Sequence, residues 1–254
     1  FFTGSHATGQ KIATTVAPKL VPLQLELGGK DPLFIADDVP DVKVAAINAA
    51  EGAFYNNGQS CCAVERIYVH EKVYGEFIEH FKKAVGALKV GDPFGETTTQ
   101  GPLARKEHPD YLAEVVKEAE RNGAEVIVGG SKVSGKGSFF EPTVLINVDH
   151  SMRIMREETF GPVIGVQAVE NDQKAQILMD DTEFGLTASV FTNNEERGKK
   201  ILDQLEVGNA YINCCDRGSP VLPWSGQRQS GLGHTLSFLG ILAFVRPKGY
   251  HLRT

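Results

Sequence analysis

Four short runs of this chain carry residue types suited to covalent or cofactor chemistry. The first is Asn57-Gly58-Gln59-Ser60-Cys61-Cys62-Ala63. A thiolate is a strong nucleophile once its pKa is lowered, and a glycine-containing loop lets backbone amides approach a reacting atom. A free cysteine is as readily a small buried hydrophobe, and local chemistry alone leaves both uses open for Cys61 and Cys62. The second run is Leu25-Glu26-Leu27-Gly28-Gly29-Lys30. A carboxylate flanked by leucines at a strand end is poorly solvated, and desolvation raises its pKa toward the range useful to a general base. An ion pair with Lys30 is the structural alternative. The third run, Glu157-Glu158-Thr159-Phe160-Gly161-Pro162, offers paired carboxylates and an aromatic ring. That set suits a ribose and a planar ring, or simply a helix cap. The fourth, Thr3-Gly4-Ser5 ahead of a helical pattern, is a short turn of the kind that cradles phosphate. Ser230-Gly231-Leu232-Gly233 is weaker and reads as a chain reversal.

Metal and triad chemistry are not expected. The histidines His6, His70, His80, His108, His150, His234 and His251 show neither ligand spacing nor a Ser/His/Asp arrangement. The cysteines fall in two adjacent pairs, Cys61-Cys62 and Cys214-Cys215, with no Cys-x-x-Cys. Adjacent cysteines rarely staple a fold, so free thiols in a reducing cytosol are the favoured setting.

The elements that must position these residues alternate between strands and helices. Gln10 to Ala17 is helical until Pro18 stops it, and Leu23 to Leu27 and Pro32 to Ile35 are extended. Asp41 caps a helix whose apolar positions Val44, Ile47 and Phe54 share a face, ended by Asn57-Gly58. Arg66 to His70 is a strand. Val73, Phe77, Phe81, Val85 and Leu88 mark a long amphipathic helix closed by Gly91. A further helix runs from about Pro109 to Asn122, and Val126 to Val128 is a short buried strand. Val163 to Val169, Ser189 to Thr192 and Ala210 to Asn213 are strands separated by two helices. Such alternation implies an α/β fold with a substantially parallel sheet. Gly129 to Ser138 reads as an exposed hairpin or loop, Asp216 to Gly233 as a glycine-rich connection, and Ala243 to Arg253 as an extended tail.

The chain of 254 residues is long enough for one large domain, or for one domain with appendages. A net charge of −6 argues against a general nucleic-acid binder. No apolar run reaches the ~18 residues that would span a bilayer. Phe1-Phe2-Thr3-Gly4-Ser5 has no basic n-region, so a signal peptide is not expected.

Taken in order, Phe2-Thr3-Gly4-Ser5, Leu25-Glu26-Leu27-Gly28-Gly29-Lys30, Gly58-Gln59-Ser60-Cys61 and Glu157-Glu158-Thr159-Phe160-Gly161-Pro162-Val163 resemble successive signatures of the NAD(P)-dependent aldehyde dehydrogenase superfamily. Phe184 to Thr192 and Pro223-Trp224-Ser225-Gly226, with Ser230-Gly231-Leu232-Gly233 after it, look like two more. The resemblance spans essentially the whole chain, and ordered motifs signal what none does alone.

The resemblance implies Cys61 as nucleophile, since it stands two places after Gln59, and Glu26 as general base. It places Glu158 and Phe160 on the nicotinamide ribose and ring, and Gly4 and Ser5 on the turn near the cofactor, NAD or NADP. Cys62, Cys214 and Cys215 receive no role. The implied fold is α/β: a three-layer catalytic domain with a largely parallel sheet over residues 28–234. Residues 1–27 would be a remnant of a Rossmann-like dinucleotide-binding domain, and 235–254 a return with an oligomerisation strand. The implied reaction is oxidation of an aldehyde to an acid through a cysteine thioester, in a cytoplasmic homo-oligomer, dimer or tetramer, with no metal, nucleic-acid or membrane partner. The family has more chain before its Thr-Gly-Ser turn. The competing readings are therefore an incomplete catalytic lobe that acts by association, and a cofactor-free thiol esterase. Trp224 and Ser225 stand where many members have Phe and Gly. Arg217 is suited to an acidic substrate or to a surface ion pair.

Overall fold

The computed structural model describes residues 1–215 and 217–253. Asp216, the start of the expected glycine-rich connection, lies outside the described residues. Along the chain, β1 (Phe2–Thr3), α1 (His6–Val16) and β2 (Leu25–Glu26) come first. Then follow β3 (Asp31–Ile35), α2 (Val42–Phe54), β4 (Val64–His70), α3 (Glu71–Gly86), α4 (His108–Arg121), β5 (Glu125–Val128) and β6 (Thr143–Ile146). The short α5 (Arg153–Arg156) leads to β7 (Val163–Val169), α6 (Asp172–Asp180), β8 (Phe184–Gly185), β9 (Thr187–Phe191), α7 (Glu195–Leu202) and β10 (Asn209–Ile212). β11 (Gln227–Arg228), β12 (Gly231–Leu232) and α8 (Ser237–Leu242) close it.

Among the described residues, seven strands form one sheet in the order β10-β9-β3-β4-β7-β6-β5. Every pairing in it is parallel except β5 with β6. Alternate side chains of the central strands serve two cores, as the pleat demands. Leu33, Ile35, Ile67 and Val69 pack with alanines of α2 and with Phe77 and Phe81 of α3. Phe34 and Tyr68 face the other way, toward Leu112, Val115 and Val116 of α4, Leu178 of α6 and Ile201 of α7. The result is three layers, helix on sheet on helix, as expected for an α/β fold.

Several expectations need correction. Val44 and Ile47 of α2 are 51% and 48% exposed; the buried face is instead Ala45, Ala46, Ala49, Ala50, Ala53 and Phe54. Small side chains let α2 lie close on the sheet and on α3, and burial of alanine is invisible to a search for bulky apolar spacing. Asp41 does cap α2, its carboxylate accepting from the Val44 amide at 2.9 Å. α3 stops at Gly86, short of Gly91. β5 is only partly buried, because it is an antiparallel sheet edge. α8 occupies a stretch with no expected element, and residues 243–253 after it pair with no strand among the described residues.

A second, three-stranded sheet joins β1, β2 and β12, which brings Phe2–Thr3, Leu25–Glu26 and Gly231–Leu232 together. β3, β4 and β7 are adjacent and parallel, so the loops that enter them lie side by side. Those loops are residues 27–30, 55–63 and 157–162, and they hold three of the four runs singled out in the sequence. β2 delivers Glu26 directly into the first of them.

Candidate active site

Cys61 owes its place to an irregular turn. After α2, Asn56 (φ 49°), Asn57 (φ 58°) and Gly58 (φ 67°) are all left-handed. Asparagine tolerates that region and glycine adopts it freely. A Cβ on Gly58 would lie 2.3 Å from the Gly161 carbonyl, so this position admits only glycine and locks the cysteine loop against the Glu158 loop. Asn57 is buried and donates its side-chain amide to the Gly101 carbonyl at 2.7 Å. The Gln59 side chain accepts from the Ala104 amide at 2.8 Å. Gly29 packs on the same turn: a Cβ there would meet the Cys61 carbonyl at 2.6 Å.

Cys61, Glu158, Phe160, Gly4 and Ser5 line one cavity of about 570 Å³, together with Gln59, Gly28, His108 and Tyr111. Five of the six residues expected in the site therefore meet in one place. Glu26 is not among the lining residues. Its carboxylate is turned to Trp224, whose indole N–H donates at 2.9 Å, and to the Thr235 hydroxyl at 3.5 Å. The expected alternative of a Glu26–Lys30 ion pair is not formed; Lys30 pairs with Glu65 at 2.6 Å.

The electrostatics separate the acids from the thiol. A hydrogen bond from the Cys62 thiol holds the Cys61 pKa below its ordinary value, against burial and the charges of Glu26 and Glu158. Cys62 is thus more than packing; its hydroxyl neighbour Ser60 stands 3.4 Å from its sulfur. Burial pushes the Glu26 carboxyl up, and the bonds from Trp224 and Thr235 partly oppose it. Burial, reinforced by the charge of Glu65, pushes Glu158 up to about 7, with the Gly29 amide bond to its Oε1 at 3.0 Å opposing. Gly28 makes room for this acid: a Cβ there would sit 2.3 Å from Glu158 Oε2.

Phe160 is left-handed (φ 46°) and 38% exposed toward the cavity. A side chain in that conformation persists only where neighbours over-determine it. His108 Nε2 lies 3.0 Å from both the Thr159 and Phe160 carbonyls, so that nitrogen carries its proton. The Tyr111 hydroxyl donates to the Glu158 carbonyl at 3.1 Å. Sequence reading missed both residues. Their spacing of three puts them on one face of α4, but nothing local said what that face meets. Ser5 acts as the N-cap of α1, accepting from the Thr8 amide, and the Gly4 amide donates to the Glu26 carbonyl at 3.0 Å.

No group of metal-ligating side chains occurs among the described residues, and none of their helices is long and apolar enough to cross a membrane. Arg217 and Cys214 line a second cavity of about 400 Å³ with Glu51, Tyr55 and Asn213.

A sequence profile described as the aldehyde dehydrogenase family matches residues 1–249. A chloroplastic aminoaldehyde dehydrogenase of Arabidopsis thaliana is 39% identical over 255 residues, covering 100% of this chain and 51% of the relative. Among solved structures, the betaine aldehyde dehydrogenase of Staphylococcus aureus in complex with NAD+ superposes with a TM-score of 0.90 at 35% identity, over 95% of this chain and 48% of that one. An NAD-dependent aldehyde dehydrogenase from Sinorhizobium meliloti gives a TM-score of 0.95 at 33% identity, over 99% and 50%. The chain thus spans about half the length of the relatives it matches.

Proposed function

This chain belongs to the aldehyde dehydrogenase family, and on that premise we propose that it supplies the nucleophile and the base for NAD(P)-dependent oxidation of an aldehyde to a carboxylic acid. The observation that carries the reading is the meeting of Cys61, Glu158 and Phe160 with Gly4 and Ser5 on one cavity. The Cys61 thiolate attacks the aldehyde carbon, which its lowered pKa favours. Backbone amides, that of Cys61 among them, hold the hemithioacetal oxyanion. Glu158, Phe160, Gly4 and Ser5 would hold a nicotinamide dinucleotide, which would supply the hydride acceptor; loss of hydride from the adduct carbon leaves a thioester on Cys61. Glu26 then takes a proton from the water that hydrolyses the thioester, and a carboxylate in that role favours hydrolysis over transfer to another acceptor.

The cavity suits such a cofactor chemically. Glu158 is a carboxylate in its wall, able to accept from ribose hydroxyls, and Phe160 offers a partly exposed ring to a planar group. Ser5 begins an 11-residue helix, whose first amides favour a phosphate. We assign residues 1–27 to the dinucleotide-binding part, 28–234 to the catalytic part and 235–254 to a C-terminal return. The test is aldehyde-dependent reduction of NAD+ or NADP+ by this chain, followed at the nicotinamide absorbance. The aldehyde panel includes betaine aldehyde and an aminoaldehyde, which the relatives' names suggest. Turnover is expected; a folded chain that neither binds dinucleotide nor turns over would favour the incomplete-lobe reading instead.

Burial raises the pKa of the base, and Trp224 tempers that rise. Its indole bond lowers the Glu26 pKa, so Trp224→Phe leaves burial less opposed and the pKa rises further. A base is active only when deprotonated, so the acid limb of the kcat–pH profile should move to higher pH. A limb that stays in place contradicts the role given to that bond.

The reading includes a cytoplasmic, reducing setting, consistent with four cysteines outside any disulfide. It also includes a homo-oligomer, dimer or tetramer, for the whole protein. Phe238, Ile241, Phe244 and Val245 are all more than half exposed and want a covering surface. Sedimentation as a monomer would contradict the oligomer.

A further inference from the structure

Beneath the cavity lies a charged pair that the mechanism above does not use. Glu65 and Lys30 are 4% and 1% exposed, and neither lines the cavity. Burying two charges is expensive unless nearly every donor and acceptor is matched, and here Glu65 is matched in full. Its Oε2 accepts from Lys30 Nζ at 2.6 Å, the Thr159 amide at 3.0 Å and the Thr159 hydroxyl at 2.7 Å. Its Oε1 accepts from the Phe160 amide at 2.8 Å.

The partners belong to the three strand-entry regions. Lys30 directly follows Gly28-Gly29, Glu65 stands on β4 four residues after Cys61, and Thr159 and Phe160 follow Glu158. One carboxylate therefore ties together the approaches to β3, β4 and β7. It also grips the amide of Phe160, the residue held left-handed. A hydrogen bond to an ionised acceptor is stronger than a neutral one, and a buried one excludes competing water.

We propose that Glu65, with Lys30 as its counter-ion, is the positioning residue that holds the Thr159–Phe160 turn and thereby aims the Phe160 ring and the Glu158 carboxylate at the nicotinamide end of the cofactor. This rests on the function proposed above. Glu65 touches neither cofactor nor substrate and acts through the backbone of the turn. The Thr159 hydroxyl is the most local handle on it, because Thr159→Val keeps the side-chain shape and removes one donor, and Thr159→Ser restores that donor.

The experiment measures NADH binding by the fluorescence of the reduced nicotinamide, for the parent chain, Glu65→Gln, Thr159→Val and Thr159→Ser. Kinetic constants for oxidised cofactor and aldehyde, and acylation of Cys61 by p-nitrophenyl acetate, are read in parallel. The dissociation constant for NADH and the KM for oxidised cofactor should rise about tenfold in Thr159→Val and by at least as much in Glu65→Gln. Thr159→Ser should match the parent. The aldehyde KM and the ester acylation of Cys61 should stay within about twofold in the threonine variants. Unchanged NADH binding in Thr159→Val and Glu65→Gln, or equal loss in Thr159→Ser and Thr159→Val, overturns the proposal while leaving the function intact. Loss of ester acylation together with cofactor binding in Thr159→Val overturns it too, because the damage would then be general. A folded parent that binds no NADH overturns the function on which the proposal rests, and the proposal with it.

Discussion

Cys61→Ala abolishes acid formation from aldehydes, whereas Cys62→Ala retains most of it at alkaline pH. The two sulfurs are neighbours in sequence and differ in what surrounds them. Cys61 lines the cavity with Glu158 and Phe160, and its thiol is held below its ordinary pKa. Loss of the only atom that bonds covalently to substrate leaves binding and oxyanion contacts alone, so a fall of roughly 10⁴-fold or more is expected. Cys62 contributes through its hydrogen bond, the largest influence lowering the Cys61 pKa. Without it the Cys61 thiol titrates at higher pH, so fewer molecules carry the thiolate near neutrality. The loss should be about tenfold at neutral pH, the worth of one such bond, and should disappear as pH rises. Parallel losses in the two variants at every pH would sink the assignment of Cys61. The measurement is kcat/KM against pH for parent and both variants.

Glu26→Gln leaves the first half of the reaction and stalls the second. The thioester forms without a base, but water must be deprotonated to cleave it. Glutamine keeps the shape, and its side-chain oxygen can still accept from Trp224. The steady-state rate should fall by about 10²-fold or more, while a burst of reduced nicotinamide persists in the first turnover. In the parent, the acid limb of kcat should lie above the ordinary carboxylate range, because burial raises the Glu26 pKa. That limb should be missing from the residual activity of the variant. Stopped-flow absorbance separates burst from steady state; a variant without a burst would move Glu26 into the acylation half.

How much of this was legible in sequence depended on the length scale of the interaction. The alternation of strands and helices was plain, because each element writes its own period. Asp41 was readable as a cap, since a capping side chain meets an amide three residues on. The motif residues were readable by resemblance, and Gly4, Ser5, Cys61, Glu158 and Phe160 do share a cavity. The partners of those residues were not readable. Glu65 meets Thr159 across 94 residues and Trp224 meets Glu26 across 198, and no local pattern encodes either contact. Lys30 stands four places from Glu26 yet pairs with Glu65, 35 places away. The buried face of α2 is not legible in its apolar spacing, because the exposed Val44 and Ile47 are larger than the alanines that are buried. His108 is not legible either, because it binds backbone carbonyls, which leave no trace in side-chain spacing.

The most direct test of the central claim needs no cofactor. The chain is mixed with p-nitrophenyl acetate, quenched, digested and mapped by mass spectrometry, in the parent and in Glu26→Gln. An acetyl group on Cys61, transient in the parent and accumulating in Glu26→Gln, is the predicted result. Acetylation of Cys62 in place of Cys61, or an acyl group that clears equally fast in both proteins, would contradict the division of labour between nucleophile and base.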